Sequence, residues 1–242
     1  MKKKKAPSSK TTYSSREDLR SRIIQVALEL LKEGGRDALT TRAVADAAGV
    51  QAPTLYRFFG DKGGLIDAVA DFGFTTSFHK KKEVELSEDP IEDFRKVWEQ
   101  HTVFGLENPV LYALMFGEPR PGFLSPAVEK SVQLLNTLIR RIALSGKLKI
   151  PEDQAAQLIV ATSSGVVLSL LALPEEKRDL ILSKTACEAV LSAITDESPG
   201  AKKSGVKAAA ISLKASLADA KSLSEGETLL LKELLDKISK EE

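Results

Sequence analysis

Cysteine and histidine are scarce in this chain. Its 242 residues include one cysteine, Cys187, and two histidines. A single cysteine excludes an internal disulfide and suits a reducing, cytoplasmic setting, which we expect for this protein. Zinc sites need three or four clustered Cys, His or acidic ligands. We therefore expect no metal site and no cofactor.

Long apolar runs and phosphate-binding loops are also missing. No run of 18 uninterrupted apolar residues occurs, so the sequence predicts no membrane span. The basic, polar N-terminus is followed by no apolar run, unlike a secretory signal peptide. The chain has no glycine-rich phosphate motif, and Cys187 has no histidine near it in the sequence. These absences disfavour an enzyme, and we expect no catalytic residue.

Charge is distributed unevenly, although the formal net charge is only +1. Residues 1–62 carry thirteen Lys and Arg against seven Asp and Glu, whereas residues 63–242 carry 22 against 27. A basic N-terminal part on an acidic remainder indicates that the N-terminal part meets a polyanion. The indication is weak by itself, because four of these lysines lie in the first five residues.

Apolar residues recur at helical spacing along nearly the whole chain, and no stretch alternates as a strand would. The sequence therefore predicts an all-α protein with an N-terminal three-helix domain and a larger helical domain. Composition changes predict the following divisions: a disordered basic arm at 1–15, a helix-turn-helix domain at 16–62, a helical domain at 63–196, and a linker with one C-terminal helix at 197–242.

Two short helices, predicted at about 41–48 and 52–59, have the spacing of a helix-turn-helix. Ala45 is small enough for two helices to cross closely, and Gly49 can adopt the positive φ of a sharp turn. Pro53 falls in the first helical turn, where its missing N–H has no helical partner. A tight helical hairpin inside a bundle would show the same spacing, and only the basic charge of this region favours nucleic acid.

Residues 39–69, "LTTRAVADAAGVQAPTLYRFFGDKGGLIDAV", resemble the N-terminal domain of the TetR (tetracycline-repressor) family of bacterial transcription regulators. The resemblance covers about residues 16–72, with departures at Gln51, where Ser is common, and Gly63, where an acidic residue is common. Residues 98–117, "WEQHTVFGLENPVLYALMFG", are similar to one type of regulatory domain in that family.

The resemblance implies a regulator of transcription that binds operator DNA through its third helix. Arg42 would read a guanine edge, and Ala52 and Pro53 would meet thymine methyl groups. Phosphate contacts would position the domain without reading sequence, and they are assigned to Thr41, Thr54, Tyr56 and Lys62. The full set of expected DNA contacts is Thr41, Arg42, Gln51, Ala52, Pro53, Thr54, Tyr56, Arg57 and Lys62.

The resemblance also implies a homodimer and a small-molecule effector. Helices predicted at about 151–172 and 174–195 are the most apolar and are expected to form the dimer contact. An effector pocket would be lined by Trp98, His101, Phe104, Tyr112, Met115 and Phe116. Such a lining would favour an apolar or aromatic effector, although the same side chains also suit an ordinary helical core.

The function that follows is a ligand-responsive repressor that binds a palindromic operator as a dimer. Two alternatives stay open at this level. One is an architectural or nucleoid-associated DNA-binding protein of the same fold that has no ligand. The other is a helical adaptor whose helix-turn-helix only supports the structure and has no affinity for duplex DNA.

Overall fold

The computed structural model describes residues 16–78, 86–117, 120–196, 206–217, 220 and 222–240. Within these ranges most residues are helical, and the β-contacts are two isolated bridges, Arg120 with Phe123 and Leu148 with Thr195. The all-α prediction is therefore confirmed. The α-helices are α1 (Arg16–Ala38), α2 (Thr41–Ala48), α3 (Ala52–Phe59), α4 (Lys62–Phe78), α5 (Pro90–Glu107), α6 (Pro109–Phe116), α7 (Pro126–Leu144), α8 (Glu152–Leu171), α9 (Ile181–Ile194), α10 (Val206–Ser216) and α11 (Glu225–Ser239).

The chain forms two compact units that divide between Gly73 and Phe74. This division falls inside α4, eleven residues beyond the predicted boundary at residue 62, because α4 contributes Leu65, Val69 and Ala70 to the buried residues of the first unit. The predicted domain functions stay predictions. The proposed disordered arm at 1–15 lies outside the described residues.

The first unit holds a small core contributed by four helices. α1 supplies its longest apolar face, with the side chains of α2, α3 and α4 closing over it. Each contributor is almost fully removed from solvent. The core residues are Ile23, Ile24, Ala27, Leu31, Leu39, Val44, Ala45, Ala48, Leu55, Leu65, Val69 and Ala70.

The second unit is built around one larger cluster to which α5, α7, α8, α9 and α10 all contribute. Its members are spaced three or four residues apart on each helix, so each helix buries one stripe. α6 packs against α5, α7 and α8 beside this cluster. The cluster comprises Ile91, Phe94, Trp98, Ile139, Ile142, Ala143, Leu148, Ala155, Ile159, Cys187, Val190, Leu191, Ile194, Ile211 and Ala215.

A covered ion pair ties the start of α5 to α7. Asp93 is 0% exposed, and Arg141 Nη1 donates to its carboxylate at 2.5 Å. The backbone N–H and hydroxyl of Ser87 donate to the same carboxylate at 2.8–3.1 Å. Burial raises the pKa of Asp93, but the hydrogen bonds from Arg141 and Ser87 outweigh it, so the pKa lies below its usual value.

The helix predicted at 174–195 begins later than the sequence suggested. Pro174 starts only a 3-10 turn, Glu175–Lys177, and α9 begins at Ile181. Asp179 Oδ1 accepts from the backbone N–H of Ile181 at 2.8 Å, so an aspartate marks the true start. The prediction was wrong because proline and aspartate are both helix-start signals, and the local sequence does not rank them.

The C-terminal region contains two helices where one was predicted. α10 was missed because its alanine-rich sequence carries a weak amphipathic pattern, yet it buries Ala208, Ala210, Ile211 and Ala215. α11 begins with a capping box, in which the Ser224 and Glu227 side chains each accept from the other's backbone N–H. α10 packs on both α7 and α11.

α8 is the one helix among the described residues that is long and apolar enough to cross a membrane. Its most apolar 18-residue window has a mean hydropathy of 1.5, and 28% of that window is buried within the chain. Length and composition alone are weak grounds for a membrane span, because helices of soluble proteins pass the same test. Leu158, Ala161 and Gly165 of α8 are exposed within the described part of the chain.

Candidate nucleic-acid interface

The turn between α2 and α3 is determined by local capping. The Thr40 hydroxyl accepts from the backbone N–H of Ala43 at 3.1 Å and starts α2. Gly49 ends it with φ 68° and ψ 34°, the left-handed conformation that glycine adopts without strain. The Val50 N–H then donates to the Ala45 carbonyl at 2.9 Å, which closes the helix end and lets α3 begin at Ala52.

α3 has a buried side and an exposed side. Leu55 is 2% exposed, and Phe58 and Phe59 are half-buried, so these three anchor the helix to its unit. Tyr56 is 51% exposed and Arg57 is exposed. The helix therefore offers a narrow outer surface on a rigid support.

The start of α4 lies close to the end of α3. Asp61 Oδ1 accepts from the backbone N–H of Gly64 at 2.8 Å and caps the helix that begins at Lys62. A Cβ atom on Gly64 would lie 2.1 Å from the carbonyl oxygen of Phe59. The absence of a side chain at residue 64 thus allows the first turn of α4 to pack closely against the end of α3. Lys62, the first residue of α4, is exposed.

We expect Gly64→Ala to destabilise the first unit by about 1–3 kcal/mol, since the added methyl group must displace backbone atoms. Urea unfolding followed by circular dichroism measures the change. Gly63→Ala is the matched control, because its Cβ would only approach the flexible Asp61 carboxylate at 3.1 Å. Equal stability of the two variants would contradict the close approach at Gly64.

The nine predicted DNA contacts all lie in the first unit, and none of them is buried. Seven are exposed, and Thr41 and Thr54 are half-buried. They are contributed by α2, by α3 with the residue before it, and by the first residue of α4. The exposed seven are Arg42, Gln51, Ala52, Pro53, Tyr56, Arg57 and Lys62.

Arg42 is available for a new partner. Its side chain is 93% exposed, and its Nε lies 3.9 Å from Asp46 Oδ2 within the same helix. Such an exposed pair contributes little to stability and is easily given up. Arg42 can therefore turn toward a ligand at low cost.

Two further cations, Arg16 and Arg20, belong to the same unit and were not predicted. Their guanidinium carbons lie 5.4 Å and 5.5 Å from the ring centroids of Phe58 and Phe59, at the end of α3. Both arginines are exposed. Their spacing of four residues places them on one face of α1, and that spacing is a signal that sequence reasoning could have used.

The six predicted effector residues lie in the second unit and divide into two groups. Trp98, His101 and Phe116 line a cavity of about 50 Å³ between α5, α6, α7 and α8. Phe104, Tyr112 and Met115 are at most 7% exposed. Among the described residues, no charged side chain lines this cavity.

His101 and Tyr112 form the polar element beside this cavity. His101 Nε2 lies 2.8 Å from the Tyr112 hydroxyl, and the Tyr112 and Phe116 ring centroids are 4.7 Å apart. Burial lowers the pKa of His101 to about 4 and raises the pKa of Tyr112. Both groups are therefore neutral at pH 7, and the cavity suits a neutral ligand.

Comparison with known proteins connects the first unit to a regulatory family. The family model for "Bacterial regulatory proteins, tetR family" matches residues 23–69. The class A tetracycline repressor of Escherichia coli is 51% identical over 49 residues, which are 20% of this chain and 23% of the repressor. The match thus spans about a quarter of the repressor's length.

Two longer matches have lower identity. An HTH-type transcriptional regulator of Mycobacterium tuberculosis is 27% identical over 119 residues, 46% of this chain and 49% of that protein. The structure of a TetR-family transcriptional regulator from Haemophilus influenzae superimposes with a TM-score of 0.54 at 21% identity. The superposition covers 76% of this chain and 100% of the Haemophilus influenzae chain. At 21% identity the likeness concerns the fold alone.

Proposed function

We propose that this chain, which belongs to the TetR family of bacterial regulatory proteins, binds a palindromic operator as a homodimer, represses transcription there, and is released by a small apolar effector. The family match of the first unit supports a transcriptional regulator with a DNA-binding domain. The observation that carries operator binding is the exposed outer side of α3, in the unit that holds exposed cations and matches the repressors.

The dimensions of α3 suit the major groove. A helix of eight residues is about 12 Å long, close to the width of the groove of about 12 Å. Ala52 and Pro53 would face thymine methyl groups, and Arg42 would reach guanine O6 and N7. Thr41, Thr54, Tyr56 and Lys62 would bind phosphates, with Gln51 and Arg57 at the edges of the contact.

We expect Arg42→Ala to relax sequence preference. A bidentate arginine–guanine contact accounts for about 1–3 kcal/mol of discrimination, and its loss should weaken operator binding while random duplex binding changes little. Competition binding of labelled operator against random duplex at constant salt measures the effect. Asp46→Ala, which removes the intrahelical partner of Arg42, is the control and should preserve the preference. An equal loss on both duplexes would contradict base reading by Arg42.

We expect Lys62→Ala to weaken binding to all duplexes alike. Lys62 is exposed at the first turn of α4, where a cation would neutralise one phosphate. The slope of log affinity against log salt should fall by about one. A titration from low to moderate salt on operator and random DNA tests this, and an unchanged slope would remove Lys62 from the contact.

A dimer is proposed because one domain of this size makes few contacts. Two copies about 34–36 Å apart would read successive major-groove faces. α8 supplies the surface, since Leu158, Ala161, Gly165 and Ser169 form an exposed stripe at spacings of three and four residues. Exposed residues Leu182, Thr185 and Ala189 of α9 would extend the contact.

Release by an effector is proposed from the uncharged cavity beside His101. In the observed structure the cavity has room for only a few water molecules, so an effector must displace its walls. An effector that favours the displaced state would lower the affinity for DNA by the difference in its own affinity for the two states. We propose that this change reaches the first unit along α4, which belongs to both units.

Selection of bound sequences from a random duplex library tests the proposal. A regulator should enrich a palindrome with half-sites one helical turn apart, and the palindrome should lie near a promoter. Enrichment without a consensus would favour the architectural alternative. No salt-dependent duplex binding by intact, folded protein would favour the adaptor and would contradict the proposal.

A further inference from the structure

A second cavity, of about 260 Å³, lies between α5 and α9. It shares Trp98 with the cavity beside His101, but its other lining residues are different. Trp98, Thr102, Ser183 and Cys187 are each about 5% exposed or less and form its buried part. Glu99, Leu180, Lys184 and Glu188, which also line it, are exposed, so the cavity is a cleft with a buried floor and a mouth that opens to solvent.

Closed hydrogen bonding keeps the buried part of this cavity in place. Trp98 Nε1 donates to Ser183 Oγ at 3.0 Å and to its carbonyl at 3.1 Å. The Thr102 hydroxyl donates to the Trp98 carbonyl at 3.1 Å and lies 2.8 Å from Ser183 Oγ. With the Ser183 hydroxyl donating to Thr102, every polar group in this ring has a partner. A ligand in the cavity therefore does not need to form a hydrogen bond with any group of this ring.

The rim of the cavity carries balanced charges. Arg95 donates to Glu188 through two nitrogens at 2.7 Å and 2.8 Å, which ties α5 to α9 a second time. Lys184 and Glu99 add one charge of each sign. Two positive and two negative groups give the rim no net attraction for an ion. The lining is otherwise apolar, through Trp98, Val103, Leu180 and Cys187.

We propose that this α5–α9 cavity is a second small-molecule site, for a neutral apolar compound of one to three aromatic rings. The size follows from comparison with a closed apolar cavity of about 150 Å³, which is large enough for benzene. The ligand would stack against or beside Trp98 and contact the Cys187 thiol. This site is additional to the predicted effector cavity.

Intrinsic fluorescence gives a direct test, since Trp98 is the chain's one tryptophan. The probe is N-phenyl-1-naphthylamine, a neutral dye, compared with 8-anilinonaphthalene-1-sulfonate, the same ring system with an anionic group. We expect saturable binding of the neutral dye at one per protomer, with quenching of Trp98 emission. The anionic dye should bind at least about ten-fold more weakly, because an unpaired charge is costly to bury. Equal binding of both dyes, or no saturable binding, would overturn the proposal.

Filling variants assign the dye to one of the two cavities. Val103→Phe and Cys187→Leu enlarge side chains from opposite walls of the α5–α9 cavity, and each should weaken binding at least about ten-fold. Ser131→Leu fills the other cavity and should change binding by less than about two-fold. Circular dichroism identifies any variant that does not fold. Two filling variants are used so that the test remains possible if one of them does not fold. If Ser131→Leu abolishes binding and the fillers do not, the site is the predicted effector cavity and the proposal is wrong. Because the test uses no DNA, its outcome is independent of operator binding.

Discussion

Gly165→Arg is expected to convert the proposed dimer into a monomer and to weaken operator binding by at least about 100-fold. Gly165 lies at the middle of the exposed stripe of α8, between Ala161 and Ser169. A Cβ atom at this glycine would meet nothing within 4 Å in the single chain. Arginine is also a better helix former than glycine, so the fold of one protomer should be unharmed. Any effect must therefore come from a partner chain.

The size of the effect follows from the geometry of two linked domains. Once one domain of a dimer is bound, the second meets its half-site at a high effective concentration, and separation of the protomers removes this advantage. A charged side chain placed against its own copy in a two-fold contact adds repulsion and the cost of burying an ion. The monomer should still bind duplex DNA weakly, with a smaller salt slope.

Sedimentation equilibrium and operator titration measure the two consequences. Asn136→Arg is the matched control, because it introduces the same charge at an exposed position of α7, away from the stripe. The control should stay dimeric and bind operator normally. A Gly165→Arg protein that remains a dimer would exclude this face of α8 from the contact.

Arg141→Met is expected to lower the free energy of unfolding by about 2–3 kcal/mol. The change removes the guanidinium that bonds the covered carboxylate of Asp93, while the Ser87 hydrogen bonds and Lys96, whose Nζ lies 4.0 Å from Oδ1, remain. We expect less than the loss seen for deeply buried pairs, because Lys96 still lies 4.0 Å from the carboxylate and partly replaces the lost charge. Urea unfolding followed by circular dichroism gives the value.

The pH dependence separates this ion pair from simple packing. The pKa of Asp93 is lowered in the folded state, so its stabilisation is present above the ordinary value of 3.8 and is lost as pH falls below it. The difference between Arg141→Met and the parent should therefore shrink in acid. Arg95→Met removes an exposed pair with Glu188 and should cost at most about 1 kcal/mol. A pH-independent difference for Arg141→Met would indicate lost packing alone.

The helix-turn-helix was readable from sequence because its signals are local. The observed bounds of α2 and α3, Thr41–Ala48 and Ala52–Phe59, match the prediction, and Gly49 has the positive φ expected. Caps, turns and the apolar spacing of short helices depend on neighbours within a few residues. This reasoning failed where two local signals competed: Pro174 and Asp179 both signal a helix start, and the sequence did not show that α9 begins after Asp179.

Features that join distant segments could not be read in the same way. The pairing of Asp93 with Arg141 spans 48 residues, and that of Trp98 with Ser183 spans 85. Each partner is an ordinary residue in its own helix, so no local pattern distinguishes it. The position of α10 likewise depends on a surface of α7 that exists only after folding.

The sequence by itself determined that the chain is helical and where its helix-turn-helix lies, because backbone preference and apolar periodicity act over a few residues. Tertiary structure alone decided which aromatic side chains line a cavity and which fill the core. It also decided which residues of α8 stay exposed in the described part of the chain. These properties are distances between atoms far apart in the chain, and they acquire values only when the helices pack.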